Sequence, residues 1–205
     1  MKRLIFFIFL IWNSVLGQGI SADYDCTVTY PNGITLNYTG KFFYQDNKSL
    51  SYMLPDFLSK YPEGTVEQNG VTYGFSSDSV QFILLLNLDS GTYKATINPR
   101  IYEGKLDAAG GEWQITNEVG MIEGYKCQHA YWVTKNGKDT SAEIWFTDEI
   151  PCPTGFEVWN YVPGFVVKVK TPMNMVATLR KVKIGEAIPP AVFIRKELKK
   201  KKDSN

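Results

Sequence analysis

The sequence predicts an all-β or β-dominated fold: an antiparallel meander forming a curved open sheet or half-barrel, with a β-sandwich as the alternative closure and little helix. Three observations lead there. Alternation of apolar and polar residues with period two recurs about every ten residues between turn signals, as strands require. Helical periodicity is almost absent. Aromatic residues make up 14% of the 205 residues, and most are Tyr and Phe at alternating positions, where rings pair across neighbouring strands.

ITLNYTGKFFY (34–44) sets Ile34, Leu36, Tyr38, Phe42 and Tyr44 on one strand face. LPDFLSKYP (54–62) is the best helical candidate, because Pro55 can open a short turn and Pro62 ends it. SVQFILLLNL (79–88) is apolar on both faces in its middle, as a buried strand would be, and DSG (89–91) turns it into TYKATI. ITNEVGMIEGYKCQHAYWVTK (115–135) continues the alternation as far as Asn136-Gly137, the composition of a two-residue type I′ hairpin turn, and DTSAEIWFT (139–147) follows. That loop length places Cys127 opposite Phe146, His129 opposite Ile144 and Tyr131 opposite Ala142. Further on, Val162-Pro163-Gly164-Phe165 suits a type II turn, with Pro presetting φ and Gly supplying a positive φ. It would join FEVWNYV to FVVKVK, in which Phe165, Val167 and Val169 share a face.

The chain opens MKRLIFFIFLIWNSVLGQG, with a basic start, an apolar run from Leu4 to Trp12 and small residues before Gln18. This is the pattern of a secretory signal peptide over residues 1–17, too short to span a bilayer. No Cys follows the small residues, so no lipid anchor is expected. Residues 18–194 then form a single β domain, and 195–205 form a basic tail expected to be disordered. The 22 basic and 21 acidic residues are unevenly placed. Residues 18–194 carry 14 basic against 19 acidic side chains, a net −5 that argues against a nucleic-acid groove. Export would put Cys26, Cys127 and Cys152 where disulfides persist. Three thiols allow one bond; Cys127–Cys152 closes the shorter loop and is favoured, with Cys26 as the other possible partner.

GYKCQHAYW (124–132) holds Cys127 and the chain's single histidine, His129. Two positions apart on a strand, their Cβ atoms stand roughly 7 Å apart on one face, too loose for a thiol and base in direct contact. With one histidine, a zinc or copper site would need the other cysteines or carboxylates as ligands. No nucleophile elbow, phosphate-cradling loop, zincin helix or calcium loop is present. The expectation is therefore no catalytic residues, no metal and no cofactor.

Several motifs stand in order between Trp113 and Phe193. Ile122-Glu123-Gly124-Tyr125-Lys126-Cys127 runs on to Ala130, Trp145-Phe146-Thr147-Asp148-Glu149-Ile150-Pro151 is followed by Gly155, Tyr161-Val162-Pro163-Gly164-Phe165-Val166 comes next, and Ile188-Pro189-Pro190 closes the set. This series resembles the GLPGLI family, secreted proteins found chiefly in Bacteroidetes and also described as Porphyromonas-gingivalis-type proteins of unknown function. The matching positions are Gly124, Tyr125, Cys127, Ala130, Trp145, Ile150, Pro151, Pro163, Gly164, Pro189 and Pro190; FFYQDNKSLSYML (42–54) is a weaker match upstream. In the signature hexapeptide, Tyr161 replaces the leading glycine, and Val162 and Phe165 replace the leucines. The resemblance implies localisation and fold class more than activity. Together with the strand pattern it leads to an expectation of a secreted cell-envelope protein, periplasmic or outer-membrane-associated, that is not an enzyme. Such a protein would bind a hydrophobic ligand or an envelope protein partner, with membrane contact only peripheral; a structural or interaction module without a ligand is the alternative.

Overall fold

The computed structural model of the chain describes residues 19–31, 33–56, 65–68, 71–74, 82–97, 100–106, 110–136, 139–158 and 161–193. The segment expected to be a signal peptide (1–17), the basic tail (195–205) and most of the 54–62 helical candidate lie outside the described residues; Leu54 and Pro55 end a strand.

In chain order the strands are β1 (Ile20–Thr29), β2 (Thr35–Gln45), β3 (Lys48–Pro55), β4 (Thr65–Gln68), β5 (Val71–Gly74), β6 (Phe82–Asn87), β7 (Thr92–Ile97), β8 (Arg100–Lys105), β9 (Gly111–Ile122), β10 (Tyr125–Thr134), β11 (Asp139–Thr147), β12 (Phe165–Lys170) and β13 (Met175–Ile184). Eleven of them form one antiparallel sheet in the order β8-β7-β6-β3-β2-β1-β13-β12-β11-β10-β9, while β4 and β5 pair separately. The fold is thus an open single sheet, not a sandwich.

Its ends show that it curls. Laid flat, eleven strands would separate the two edges by roughly 48 Å at ~4.8 Å per strand. Yet β8 ends at Lys105 and β9 begins at Gly111, and the six residue steps between them reach at most about 22 Å. The edges must therefore approach each other. They do not pair, because β8 and β9 are not neighbours in the ladder. Register shifts at Asp23/Tyr24, Gln128/Ala130, Tyr131/Val133 and Trp145/Phe146 supply bends of the kind that curvature needs.

The inner face carries the core. Tyr24 and Cys26 of β1, Leu36, Tyr38 and Phe42 of β2, Leu84 and Leu86 of β6, and Ala177 and Leu179 of β13 are all buried, as strict alternation requires. The outer face at the centre of the sheet is charged: Lys41 pairs with Asp23 at 2.8 Å, and Arg180 reaches Asp25 at 3.1 Å. Towards β3 and β6 it turns apolar, and there Leu50, Tyr52, Ile83 and Leu85 meet Val192 and Phe193 of a short 3-10 turn, Pro190–Phe193.

Tight turns hold the meander. Asp46 and Asn47 (φ 49° and 55°) close β2 onto β3, and Glu123 and Gly124 (φ 49° and 83°) close β9 onto β10. Two successive positive φ values are the mark of a type I′ turn. The second of these cuts the 115–135 stretch in two, so Gly124 is the turn glycine between two strands that the sequence pattern runs together.

Candidate functional site

The inner face is covered in part by a connection of the main sheet itself. Its cover is the connection from β11 to β12, residues 148–164, whose described part turns its apolar side chains inward. Ile150, Cys152, Phe156, Val158 and Val162 are all buried. Phe156 stacks on Tyr24 with ring centroids 4.9 Å apart, and the Tyr24 hydroxyl donates to the Val166 carbonyl at 2.6 Å. Among the described residues the backbone of this cover is held by Cys152 N–H donating to Ile150 O at 2.8 Å, Val162 N–H to Pro153 O at 3.1 Å and Val158 N–H to Gly155 O at 3.4 Å. At its far end the Tyr161 hydroxyl donates to the Leu88 carbonyl beside the β6–β7 turn at 2.5 Å.

This arrangement corrects the expected hairpin. FEVWNYV is not a described strand, and Gly164 does not have the positive φ of a type II turn. Glycine stands at 164 for a different reason. A Cβ there would come 2.3 Å from the Thr147 carbonyl oxygen, so only glycine lets the returning chain pass the end of β11. Pro163 and Pro151 are exposed beside it, while Ile150 is buried, so the signature residues bracket the cover where it leaves and rejoins the sheet. Pro189 and Pro190 are exposed on the outer side, where Pro190 opens the 3-10 turn.

Two polar groups inside the cover lack partners. Thr154 Oγ1 and Glu157 Oε1 are buried without a hydrogen bond. Glu157 also has φ 60°, the left-handed region that costs a non-glycine residue about 1–2 kcal/mol. Burial holds its carboxyl well above the usual carboxylate range, so it is protonated more readily than a free side chain. No motif pointed to this residue. The only trace in the sequence is one charge inside the apolar run Gly155-Phe156-Glu157-Val158-Trp159.

The three cysteines are free thiols, all buried; the expected Cys127–Cys152 bridge is not formed. Each thiol is turned to a nearby carbonyl, Cys127 to Tyr125 O at 3.5 Å and Cys152 to Thr154 O at 3.6 Å. Burial pushes the Cys127 thiol up to about 11 and the Cys152 thiol up to about 12, and raises Cys26 further. A thiol so protected should not react with a disulfide reagent at pH 8 until the protein unfolds. Ellman titration should read no fast thiol in the native protein and three in denaturant; one thiol in denaturant would mean that a bridge had formed.

His129 sits differently from the expected register. The observed pairs are Gln128 with Phe146, His129 with Trp145, Ala130 with Ile144 and Tyr131 with Glu143. Two offsets combine: Val133 pairs with Asp139, leaving five residues between them, and the register shift between Tyr131 and Val133 then moves the partner of His129 past the expected Ile144 to Trp145. A slip of one residue exchanges the faces of the partner strand. His129 therefore lies on the outer face, its ring 5.0 Å from Trp145, with Nδ1 3.3 Å from Thr116 Oγ1. Glu118 and Glu143 flank it at 3.7 and 3.9 Å, a carboxylate setting that the shifted register had hidden. Cys127 is buried on that same face. Tyr125 starts the strand half-buried, and Ala130 faces the core with Ile144, both fully buried.

No protein-family model matches the chain, and no curated protein sequence does. Among solved structures, PNGF-II in two crystal forms superposes on it with TM-scores of 0.53 and 0.51 at 17% identity. These alignments cover 86% of this chain but 29% and 30% of PNGF-II, so the chain spans less than a third of that protein's length. A LolA superfamily protein from Nitrosomonas europaea aligns over 89% of this chain and 97% of its own, at 7% identity and a TM-score of 0.34. At such identities the likeness to PNGF-II is one of fold: the curled antiparallel sheet described above.

Proposed function

We propose that this is a non-enzymatic binding protein of the cell envelope, exported by its N-terminal segment, that takes a hydrophobic ligand against the inner face of its curled sheet. The observation that carries the reading is the cover over that face. A broad apolar and aromatic surface lies under the 148–164 connection, inside which Glu157 Oε1 and Thr154 Oγ1 are buried without a hydrogen bond. Orphaned polar groups cost about 1–3 kcal/mol each and persist where a site needs them. A ligand sliding under the cover would meet apolar walls and two free polar groups, the usual make-up of a small-molecule site. The ordered motifs from Gly124 to Pro190 support placing the chain among GLPGLI-type secreted proteins, with those residues shaping the turn, the cover and its exit. The buried Cys127 thiol, unactivated and hydrogen-bonded to a carbonyl, supports the non-enzymatic reading.

A specific observation favours a second reading, an interaction module. The edge strand β9 exposes Ile115, Val119 and Met121, at 49%, 57% and 69% of their full accessibility. An unpaired edge with apolar side chains can add a strand from a partner. Titration with a fatty acid carrying an environment-sensitive fluorophore separates the two. A ligand carrier gives a saturable blue-shifted signal at one probe per chain, competed by unlabelled fatty acid. An interaction module gives no saturable signal.

A further inference from the structure

A second site lies away from the inner face, at the seam where the two edges of the sheet approach. A cleft of about 370 Å³ opens between Leu106, just past β8, and the start of β9, and Trp113, Trp132, Ile115, Tyr161 and Glu112 line it. Trp113 and Trp132 are cross-strand partners, so their indoles share a face. Their rings stand 5.1 Å apart at 73°, two aromatic walls nearly at right angles. Tyr161 adds a third ring, half exposed, and its hydroxyl is tied to the Leu88 carbonyl, which fixes the ring in place. Among the described residues Glu112 is the one charged side chain in the lining, and it is exposed.

We infer that this cleft is a binding site for a small organic ammonium cation. The negative faces of aromatic rings attract such a cation, and a carboxylate at the rim adds a full charge of the matching sign. The volume falls within the range of small-molecule sites, roughly 300–1,000 Å³. The surrounding body, with a net −5 over residues 18–194, draws cations toward it. Neither an apolar ligand nor an anion would use Glu112. The proposal does not depend on a ligand at the inner face: Tyr161 and Pro163 come from the far end of the 148–164 connection, but Thr154, Phe156 and Glu157, which face the sheet, do not line this cleft.

The test follows the two indole N–H resonances of Trp113 and Trp132 in proton–nitrogen spectra of the full chain. Choline chloride is added in one series and 3,3-dimethylbutanol, which has the same shape without the charge, in another, with sodium chloride matching ionic strength. Choline should shift both resonances saturably, and the neutral alcohol should bind at least about two- to five-fold more weakly, the contrast that a cation–π contact gives. Glu112→Gln, an exposed and fold-neutral change, should weaken choline by a similar factor and leave the alcohol unchanged. Equal affinity for choline and the alcohol, no saturable shift with choline, or choline binding unaffected by Glu112→Gln would overturn the inference.

Discussion

Phe156→Ala should lower the unfolding free energy by about 3–5 kcal/mol, the range for truncating a large buried ring. The ring is 0% exposed, stacks on Tyr24 and lies over Gly40, where an added Cβ would come 2.8 Å from it. It anchors the 148–164 connection on the inner face through its stack on Tyr24. Urea titration at neutral pH measures the loss. On the proposed function the same change should loosen the cover more than the sheet, so uptake of a fluorescent fatty acid should rise even as stability falls. A loss below about 1 kcal/mol would show that the cover does not rest on this ring.

Glu157→Gln should make the protein more stable at pH 7–8 and leave it nearly unchanged at pH 4. The sign follows from linkage. Burial raises the folded-state pKa of Glu157 above its ordinary value of 4.5, so the folded chain holds this proton more tightly than the unfolded chain. Below pH 4.5 both states are protonated and the group's contribution is fully present. As pH rises toward the folded-state value the contribution is lost, at about 1.4 kcal/mol per pH unit. Glutamine has nothing to titrate and removes that loss. Urea midpoints of the two proteins should coincide at pH 4 and diverge steadily above pH 5, with the variant higher. Parallel curves at all pH values would place Glu157 in contact with water, contrary to its burial. A titratable carboxyl kept buried at such a cost is a trade of stability for function, and loss of ligand uptake in the stabilised variant would locate that function.

The strands were legible where one face meets the core and the other meets water. Leu36, Tyr38 and Phe42 alternate in β2 as expected, and the Asp89-Ser90-Gly91 turn into β7 is where the residues indicate. Errors arose where tertiary packing decides. Phe156, Val158 and Val162 have the spacing and apolarity of a strand, but they belong to a buried connection, and burial alone gives a loop the same pattern. Gly164 reads as a turn glycine because Pro precedes it, yet its role is the close approach to Thr147, which depends on a strand 17 residues earlier. The His129 register differs from the expected one because an irregularity between Tyr131 and Val133, which no local pattern marks, slides β11 along β10. Glu157 was invisible, since nothing local says that a lone carboxyl in an apolar run has no partner.

The most direct test of ligand binding at the inner face is to purify the chain from its native source under mild conditions, extract it with organic solvent and identify what is released by mass spectrometry. The account predicts an apolar molecule recovered in near one-to-one amount with the protein, and reduced recovery from Glu157→Gln. An extract no richer than that of an unrelated protein purified in the same way would contradict it.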